Sequence, residues 1–391
     1  MTERLAITPL RYRPDVEQIE PDEPQIARDL AETMLSIAQK TYADSGHAMR
    51  CVHAKSHGLL AARLEVLADL PPELTQGIFS KSQSYACVIR LSTTPGDLLH
   101  DSVSTPRGMA LKVLDVEGAR LPGSEGSSNQ DFVLANGKEF NSASGEAFLK
   151  NLRMLALTTD RIEGLKELIS KVFRGMESVV EAVGGQSAML KSLGGNPPTH
   201  ILGESFYSQV PVRYGDYVAK VGVVPASDNL LALANVRLDI GKDSNAIRHE
   251  VKHFFAEETA VWHLQIQLCT NLEEMPVEGV SPWDEKTSPF VTVARIIVDP
   301  QQAWSEECSH TVDDGMRFGP WNGIKAHQPL GSIMRLRKLA YEKSAAFRSQ
   351  RNATPVTEPL SCPFTRGVPG SEATGLDEQR VPAKRNTLSP D

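Results

Sequence analysis

The stretch RCVHAK at residues 50–55 is the segment from which we predict the fold of this chain. It is followed by IRLST at residues 89–93 and by PRGMALK at residues 106–112. Much later, RKLAY at residues 337–341 precedes a further arginine, Arg348. Each pattern is weak when taken alone. Their order, and the fixed spacing of the two arginines around the tyrosine, make the set specific.

Together these segments resemble the haem catalases, in the same order and over about residues 48–350. The resemblance implies an α+β, catalase-like fold, in which a large closed antiparallel β-barrel is surrounded by helices and haem b is buried in the barrel. Two further stretches, Tyr207 to Gly215 and Ser56-His57-Gly58, resemble the small, catalase-related peroxidase branch of that superfamily.

The resemblance also implies a role for individual residues. His53 matches the distal histidine, Ser92 the hydroxyl that orients it, and Asn129 the distal asparagine. Tyr341 matches the ligand of the haem iron, and Arg337 matches its guanidinium partner. The other implied haem contacts are three arginines for the propionates, a valine over the haem face and an aromatic residue at the haem edge: Arg50, Arg90, Arg348, Val52 and Phe140.

Physical chemistry agrees with the proximal pair. A phenol with a pKa near 10 is a poor metal ligand at neutral pH, but an adjacent guanidinium and a ferric ion both favour the phenolate. Arg337 and Tyr341 are four residues apart, so on a helix they share one face. Phenolate ligation of haem iron is the catalase-type arrangement, and arginine suits the two haem carboxylates.

The distal residues agree with peroxide chemistry. Cleavage of the oxygen–oxygen bond requires a proton to move from one oxygen to the other, and a neutral imidazole at His53 can accept and return it. Ser92 would hold the ring, and Asn129 would hold the second oxygen by a hydrogen bond.

Apolar periodicity predicts the helices and strands, and composition predicts the domains. Helices are expected over residues 20–40, 145–192 and 331–350, and strands over 85–91, 109–114, 209–224, 230–240, 261–269 and 290–298. This order predicts a large antiparallel sheet, open or closed. We expect an N-terminal helical arm over 1–48, a haem domain over 49–354 and a poorly ordered tail over 355–391, which is rich in Pro, Gly, Ser and charge.

Composition excludes several classes of protein. With 391 residues, 40% hydrophobic content and a net charge of -8, the chain can bury a large core and has no electrostatic support for a nucleic-acid partner. We find no run of apolar residues that would form a signal peptide or a membrane span. The five scattered cysteines argue against a disulfide scaffold or structural zinc and favour a cytoplasmic location.

One motif competes with the haem hypothesis. The stretch HEVKH at residues 249–253 matches the H-E-x-x-H zinc-protease signature. Lys252 places a charge inside a motif that is normally buried, and no further ligand pattern follows. We therefore interpret this stretch as a solvated helix face with paired charges.

The predicted function is a haem-dependent oxidoreductase that reduces hydrogen peroxide or small organic peroxides, as a peroxidase or catalase, through an oxidised haem intermediate. Val52 favours this reaction, because allene oxide synthases resemble the chain but tend to carry threonine there. Two departures weaken the interpretation as a true catalase: Ala345 where large catalases often carry histidine, and the Gln130-Asp131 pair after the asparagine. A fatty-acid hydroperoxide-transforming haem enzyme is an alternative. A non-catalytic haem-binding protein is a further alternative. The expected partners are a peroxide, an unidentified electron donor and a second copy of the chain in a homo-oligomer.

Overall fold

The fold is given by a computed structural model that describes residues 7–140, 142, 144–159, 197–279 and 281–364. Its strands are β1 (Lys55–Val66), β2 (Ser84–Thr93), β3 (Arg107–Val113), β4 (Gln130–Ala135), β5 (Phe206–Tyr207), β6 (Val212–Tyr214), β7 (Tyr217–Pro225), β8 (Ala260–Leu268) and β9 (Val291–Val298). Its α-helices are α1 (Glu23–Ser45), α2 (Gly145–Thr159), α3 (Asp228–Leu231), α4 (Ala246–Phe255), α5 (Glu306–Ser309) and α6 (Ser332–Arg351). Short 3₁₀ turns lie at Pro14–Val16, Gly77–Phe79, Ile201–Gly203 and Lys325–His327, and a π-helical turn lies at His310–Asp314.

The strands form one antiparallel sheet that closes on itself. Neighbouring strands follow the order β5-β4-β3-β2-β1-β9-β8-β7, and β5 also pairs with β7, which completes an eight-stranded barrel. The closing pairs are Ala135 with Tyr207 and Phe206 with Val223. Strand β6 pairs with β7 outside this ring. Closure removes the exposed sheet edges that would otherwise invite aggregation, and the predicted closed antiparallel barrel is confirmed.

Alternating apolar residues fill the barrel. In β8, the sequence AVWHLQIQL buries Ala260, Trp262, Leu264 and Ile266 completely, and these side chains belong to the main hydrophobic cluster. A strand points successive side chains to opposite faces, so this period of two directs every second residue inward. Burial of this apolar surface is the main force that stabilises the barrel.

Helix α1 packs into the body of the protein. It begins with Pro24 in its first turn and ends at Gly46, which is left-handed and whose N–H donates to the carbonyl of Tyr42. Its buried face contacts α2 and α6 in a second hydrophobic cluster. The helix was predicted correctly, but the N-terminal arm expected over residues 1–48 is, in its helical part, a packed component of the domain.

The segment expected as a strand over residues 230–240 does not form one. Helix α3 begins directly after Ser227, and only an isolated bridge joins Arg237 to Thr199. Leu230 is fully buried and Leu231 is half exposed, although both belong to this short helix. The apolar residues that predicted a strand here are therefore helical and only partly buried. The part of the helical prediction at residues 160–192 lies outside the described residues.

The first part of the segment expected as a poorly ordered tail, residues 355–364, packs against the rest of the protein. Residues 355–364 lie against the barrel, where Cys362 is buried and the Glu358 carboxylate pairs with the fully buried Lys112. The rest of the predicted tail, residues 365–391, lies outside the described part of the chain. Among the helices that the structure describes, none combines the length and the apolar character needed to cross a membrane.

Candidate functional site

A large cavity lies between strands β2–β4 and helix α6. The empty space between its walls is about 1040 Å³ when the open solvent at its mouth is counted, and its volume as a cavity is about 110 Å³. It is lined by Val52, His53, Ser92, Tyr341 and residues 317–322, among others. The barrel interior itself is filled by apolar side chains. The cavity therefore lies beside the barrel wall. A haem bound in it would lie outside the barrel centre, whereas the resemblance implied haem buried in the barrel.

His53 lies in the turn that precedes β1 and adopts a left-handed backbone conformation, with φ of 52°. This conformation is costly for a residue with a side chain and is typical of functional positions. Its Nδ1 lies 3.3 Å from the hydroxyl of Ser92 on β2. Burial, with smaller effects of Arg90 and Arg337, lowers the pKa of His53 to about 3, so the imidazole is neutral near pH 7.

A glycine makes room for this imidazole. A Cβ at Gly108 on β3 would lie 2.7 Å from Cε1 of His53 and 2.8 Å from its Nδ1. Gly108 pairs with Ser92 across the β2–β3 ladder, so one row of the sheet supplies both the space and the hydrogen-bond partner of the ring.

Tyr341 lies on α6 and is oriented by Arg337, whose Nη2 donates to the phenolic oxygen over 2.7 Å. The two residues are one turn apart, as predicted. Phe140 does not line the cavity. Its ring packs edge-on against Phe148 and 5.7 Å from the guanidinium of Arg337, so its contact with the site is made through that arginine.

The three predicted propionate arginines converge on the turn His310–Asp314. Arg50 and Arg90 pair with the carboxylate of Asp313 at 3.1 and 2.6 Å. Arg348 donates to the main-chain carbonyls of Asp313, Asp314 and Met316. Burial alone would raise the pKa of Asp313, but Arg90 and Arg50 hold it well below its ordinary value. Burial lowers the pKa of Arg348 to about 10.

This arginine cluster fits the carboxylates of a haem. Arg50 and Arg90 share the Asp313 carboxylate, while Arg348 donates only to main-chain carbonyls of the turn. Even with the neighbouring carboxylate of Asp314, which pairs with His47, the three guanidinium groups outnumber the carboxylates. The Nε of Arg348 is buried without a hydrogen-bond partner, and a buried donor of this kind is costly to leave unpaired. Arg50, Arg90 and Arg348 all line the cavity, so two propionates entering it would meet the excess charge.

The structure does not place Asn129 beside His53, as the resemblance implied. Gln130 pairs with Val113, at the end of the β3–β4 ladder that lies away from Gly108. At about 3.3 Å per residue, this separates Asn129 from the imidazole by roughly 16 Å or more along the strand. The Asn129 amide instead donates to Glu358 and to the carbonyl of Pro359.

Sequence reasoning missed several residues of the site. Asp313 had no signal, because it lies in a short turn whose partners are far away in sequence. Gly108 belongs to the PRGMALK stretch, but the sequence does not indicate that this glycine lies against the imidazole of His53. Met34 of α1 also lines the cavity, although the sequence placed this helix in an N-terminal arm separate from the haem domain.

The H-E-x-x-H stretch lies on helix α4, in agreement with its interpretation as a helix face. His249, Glu250, Lys252 and His253 are all exposed there, and His249 pairs with Asp243 at 2.7 Å. Within the described ranges, no three His, Cys, Asp or Glu side chains are grouped as a metal ion would require. The helix face is therefore solvated and carries a paired charge.

No protein-family model and no curated protein matches the amino-acid sequence. Solved structures do match the fold. A fungal catalase is 15% identical with a TM-score of 0.56, covering 100% of this chain and 79% of that one. A bacterial catalase is 14% identical with a TM-score of 0.54, covering 97% and 71%. Catalase A from Saccharomyces cerevisiae is 16% identical with a TM-score of 0.55, covering 100% and 82%. This chain therefore has the catalase fold.

Proposed function

We propose that this protein binds haem b in the cavity beside the barrel wall and reduces hydrogen peroxide or small organic peroxides. The observation that carries the proposal is that His53 and Tyr341 line one cavity, each oriented by a neighbouring polar side chain. When bound, the haem would supply the redox centre that accepts oxidising equivalents from the peroxide.

Tyr341 is the residue that would hold the iron. The guanidinium of Arg337 donates a hydrogen bond to its phenolic oxygen, the atom that would bind the iron. The arginine also fixes the direction of the oxygen, because both side chains project from adjacent turns of α6.

His53 would act on the proton of the peroxide. Its Nδ1 is occupied by Ser92, so Nε2 is the nitrogen that remains to accept a proton from one peroxide oxygen and return it to the other. The lowered pKa keeps the ring neutral near pH 7, and the tautomer in which Nδ1–H donates to the Ser92 hydroxyl leaves Nε2 free to accept the proton. Because Asn129 is remote, the second oxygen must be held by another group, such as water.

Arg50, Arg90 and Arg348 would bind and orient the cofactor. They come from the turn before β1, from β2 and from α6, so propionates bound between them would connect the barrel wall to the helix that carries Tyr341. Arginine forms paired hydrogen bonds with carboxylates, which gives direction as well as affinity.

The test is to load the purified protein with haem and add hydrogen peroxide in the presence of an organic electron donor, while an electrode follows oxygen. Oxygen release would identify a catalase, and donor oxidation with little oxygen would identify a peroxidase. Conversion of a fatty-acid hydroperoxide without either signal would favour the lipid alternative. Stable haem binding without turnover of any peroxide would contradict the proposed reaction and leave a haem-binding protein.

A further inference from the structure

Besides Asp313, a second carboxylate of this chain, that of Glu358, is bound by side chains that form the cavity wall. Glu358 lies in the segment 355–364, after the last helix. Its side chain is 12% exposed although the segment lies on the surface of the barrel. The site that receives this carboxylate is distinct from the arginine cluster around Asp313.

Five side chains donate to the Glu358 carboxylate. Lys112 and Arg317 form charged hydrogen bonds of 2.7 and 2.8 Å. The others are two amides at 3.0 and 3.1 Å and a hydroxyl at 3.5 Å, from Asn322, Asn129 and Ser127. Charged hydrogen bonds of this length are among the strongest in proteins. All five donors come from outside the segment, so a complete carboxylate site exists without it.

Charge sets the class of ligand that can replace Glu358. Lys112 and Arg317 contact Glu358, Arg120 acts on it electrostatically, and the carboxylate of Asp131 is 2.8 Å from the Lys112 ammonium. Removal of Glu358 would leave positive charge in excess, in a place where Lys112 has no solvent contact. A buried excess charge is unfavourable, so the site requires one anionic group.

The site is connected to the cavity. Arg317 and Asn322 donate to Glu358 and also line the cavity wall. A ligand inside the cavity can therefore reach the donors that now hold Glu358.

The segment that carries Glu358 is held by few other contacts. It forms no helix or strand over residues 355–364, and Leu360 is 82% exposed. Its anchors, besides Glu358, include a hydrogen bond from the Thr357 N–H to the Gly315 carbonyl and the buried Cys362. Segments with few buried contacts open at low free energy.

We propose that the Glu358 site is an exchangeable carboxylate site: residues 355–364 occupy it at rest, and a ligand that carries a carboxylate group displaces Glu358 from Lys112 and Arg317. The segment then acts as a cover over this end of the cavity. The inference does not depend on the proposed haem chemistry, because it concerns only the side chains of this chain.

The first experiment restores the missing group with a small molecule. In Glu358→Ala, sodium acetate should raise the melting temperature saturably by several degrees above sodium chloride at equal ionic strength, because acetate binds only the folded protein. Acetamide, which has the same shape without the charge, should not. In wild type and in Glu273→Ala, which removes an exposed carboxylate, acetate must compete with Glu358 and should raise the melting temperature by less than in Glu358→Ala. Equal effects of acetate and chloride in Glu358→Ala would overturn the proposed site.

The second experiment uses the unaltered chain, and it stands even if Glu358→Ala does not fold. Acetate should accelerate hydrogen exchange at the Thr357 amide in wild type relative to equal chloride, because displacement of Glu358 releases the segment. Arg317→Gln should weaken the dependence on acetate. If exchange at Thr357 is insensitive to acetate, Glu358 is a fixed structural contact and the exchange proposal fails.

Discussion

The imidazole of His53 lies against Gly108, so closely that a Cβ on this glycine would stand 2.7 Å from the ring carbon Cε1. Both residues line the cavity, and Gly108 pairs with Ser92, whose hydroxyl lies 3.3 Å from Nδ1 of His53. Two neighbouring residues of the sheet therefore set the position of the ring.

Gly108→Ala should consequently impair peroxide turnover while the protein still folds and binds haem. The methyl group must push the imidazole away, and a displacement of about 1 Å in a catalytic group costs roughly 100-fold in rate. The measurement is kcat with hydrogen peroxide, together with the haem content of the variant. Gly126→Ala is the control, since a Cβ there meets nothing within 4 Å. Full activity in Gly108→Ala would show that His53 does not act from its observed position.

Removal of one arginine from the cluster around Asp313 should weaken haem binding. In Arg348→Gln, haem affinity should fall by about 10- to 100-fold, which corresponds to the loss of one charged hydrogen bond. Titration of the apo-protein with haem gives the dissociation constant. Arg351→Gln, an exposed residue on the same helix, is the matched control. Equal affinities of the two variants would exclude a role of Arg348 in propionate binding.

Stability should fall as the pH drops below about 6.5, in part because of His327. This imidazole is enclosed by the rings of Phe79, Phe132 and Tyr214, and burial lowers its pKa from 6.5 to about 3. The unfolded chain takes up a proton near pH 6.5 and the folded protein only near pH 3, so the folded state loses relative stability between these values.

His327→Gln should therefore lose less stability than wild type between pH 7 and pH 4.5, by on the order of 2 kcal/mol. Urea unfolding at the two pH values measures the difference. His253→Gln should reduce the loss by less, because that side chain is exposed in the folded protein. An identical pH dependence in wild type and His327→Gln would show that His327 takes up its proton at the same pH in the folded and unfolded states, which contradicts a lowered pKa in the folded protein.

The order of elements and the proximal pair could be predicted from sequence because they depend on local spacing. The four-residue interval between Arg337 and Tyr341 needs only a helix, and the helix α6 was expected. Asn129 could not be located in this way. It follows a long loop after β3, and the register of β4 decides its position, which a one-dimensional pattern does not contain.

Long-range contacts explain the remaining differences. Asp313 joins Arg50 and Arg90, which are more than two hundred residues away in sequence, through a single carboxylate. The composition of the tail predicted disorder from residue 355, but Glu358 forms an ion pair with Lys112, which is buried only when β3 is folded. Composition gives the average polarity of a segment, and it cannot predict a single ion pair such as that between Lys112 and Glu358.

The most direct test of the central claim is the visible absorption spectrum of the haem-loaded protein and of Tyr341→Phe. The account predicts a ferric, high-spin, tyrosinate-like spectrum in wild type that is lost in Tyr341→Phe and retained in Tyr217→Phe, whose ring lies on β7 away from the cavity lining. If no haem binds to the wild-type protein, or if the spectrum of Tyr341→Phe equals that of wild type, Tyr341 is not the iron ligand and the proposed function is contradicted.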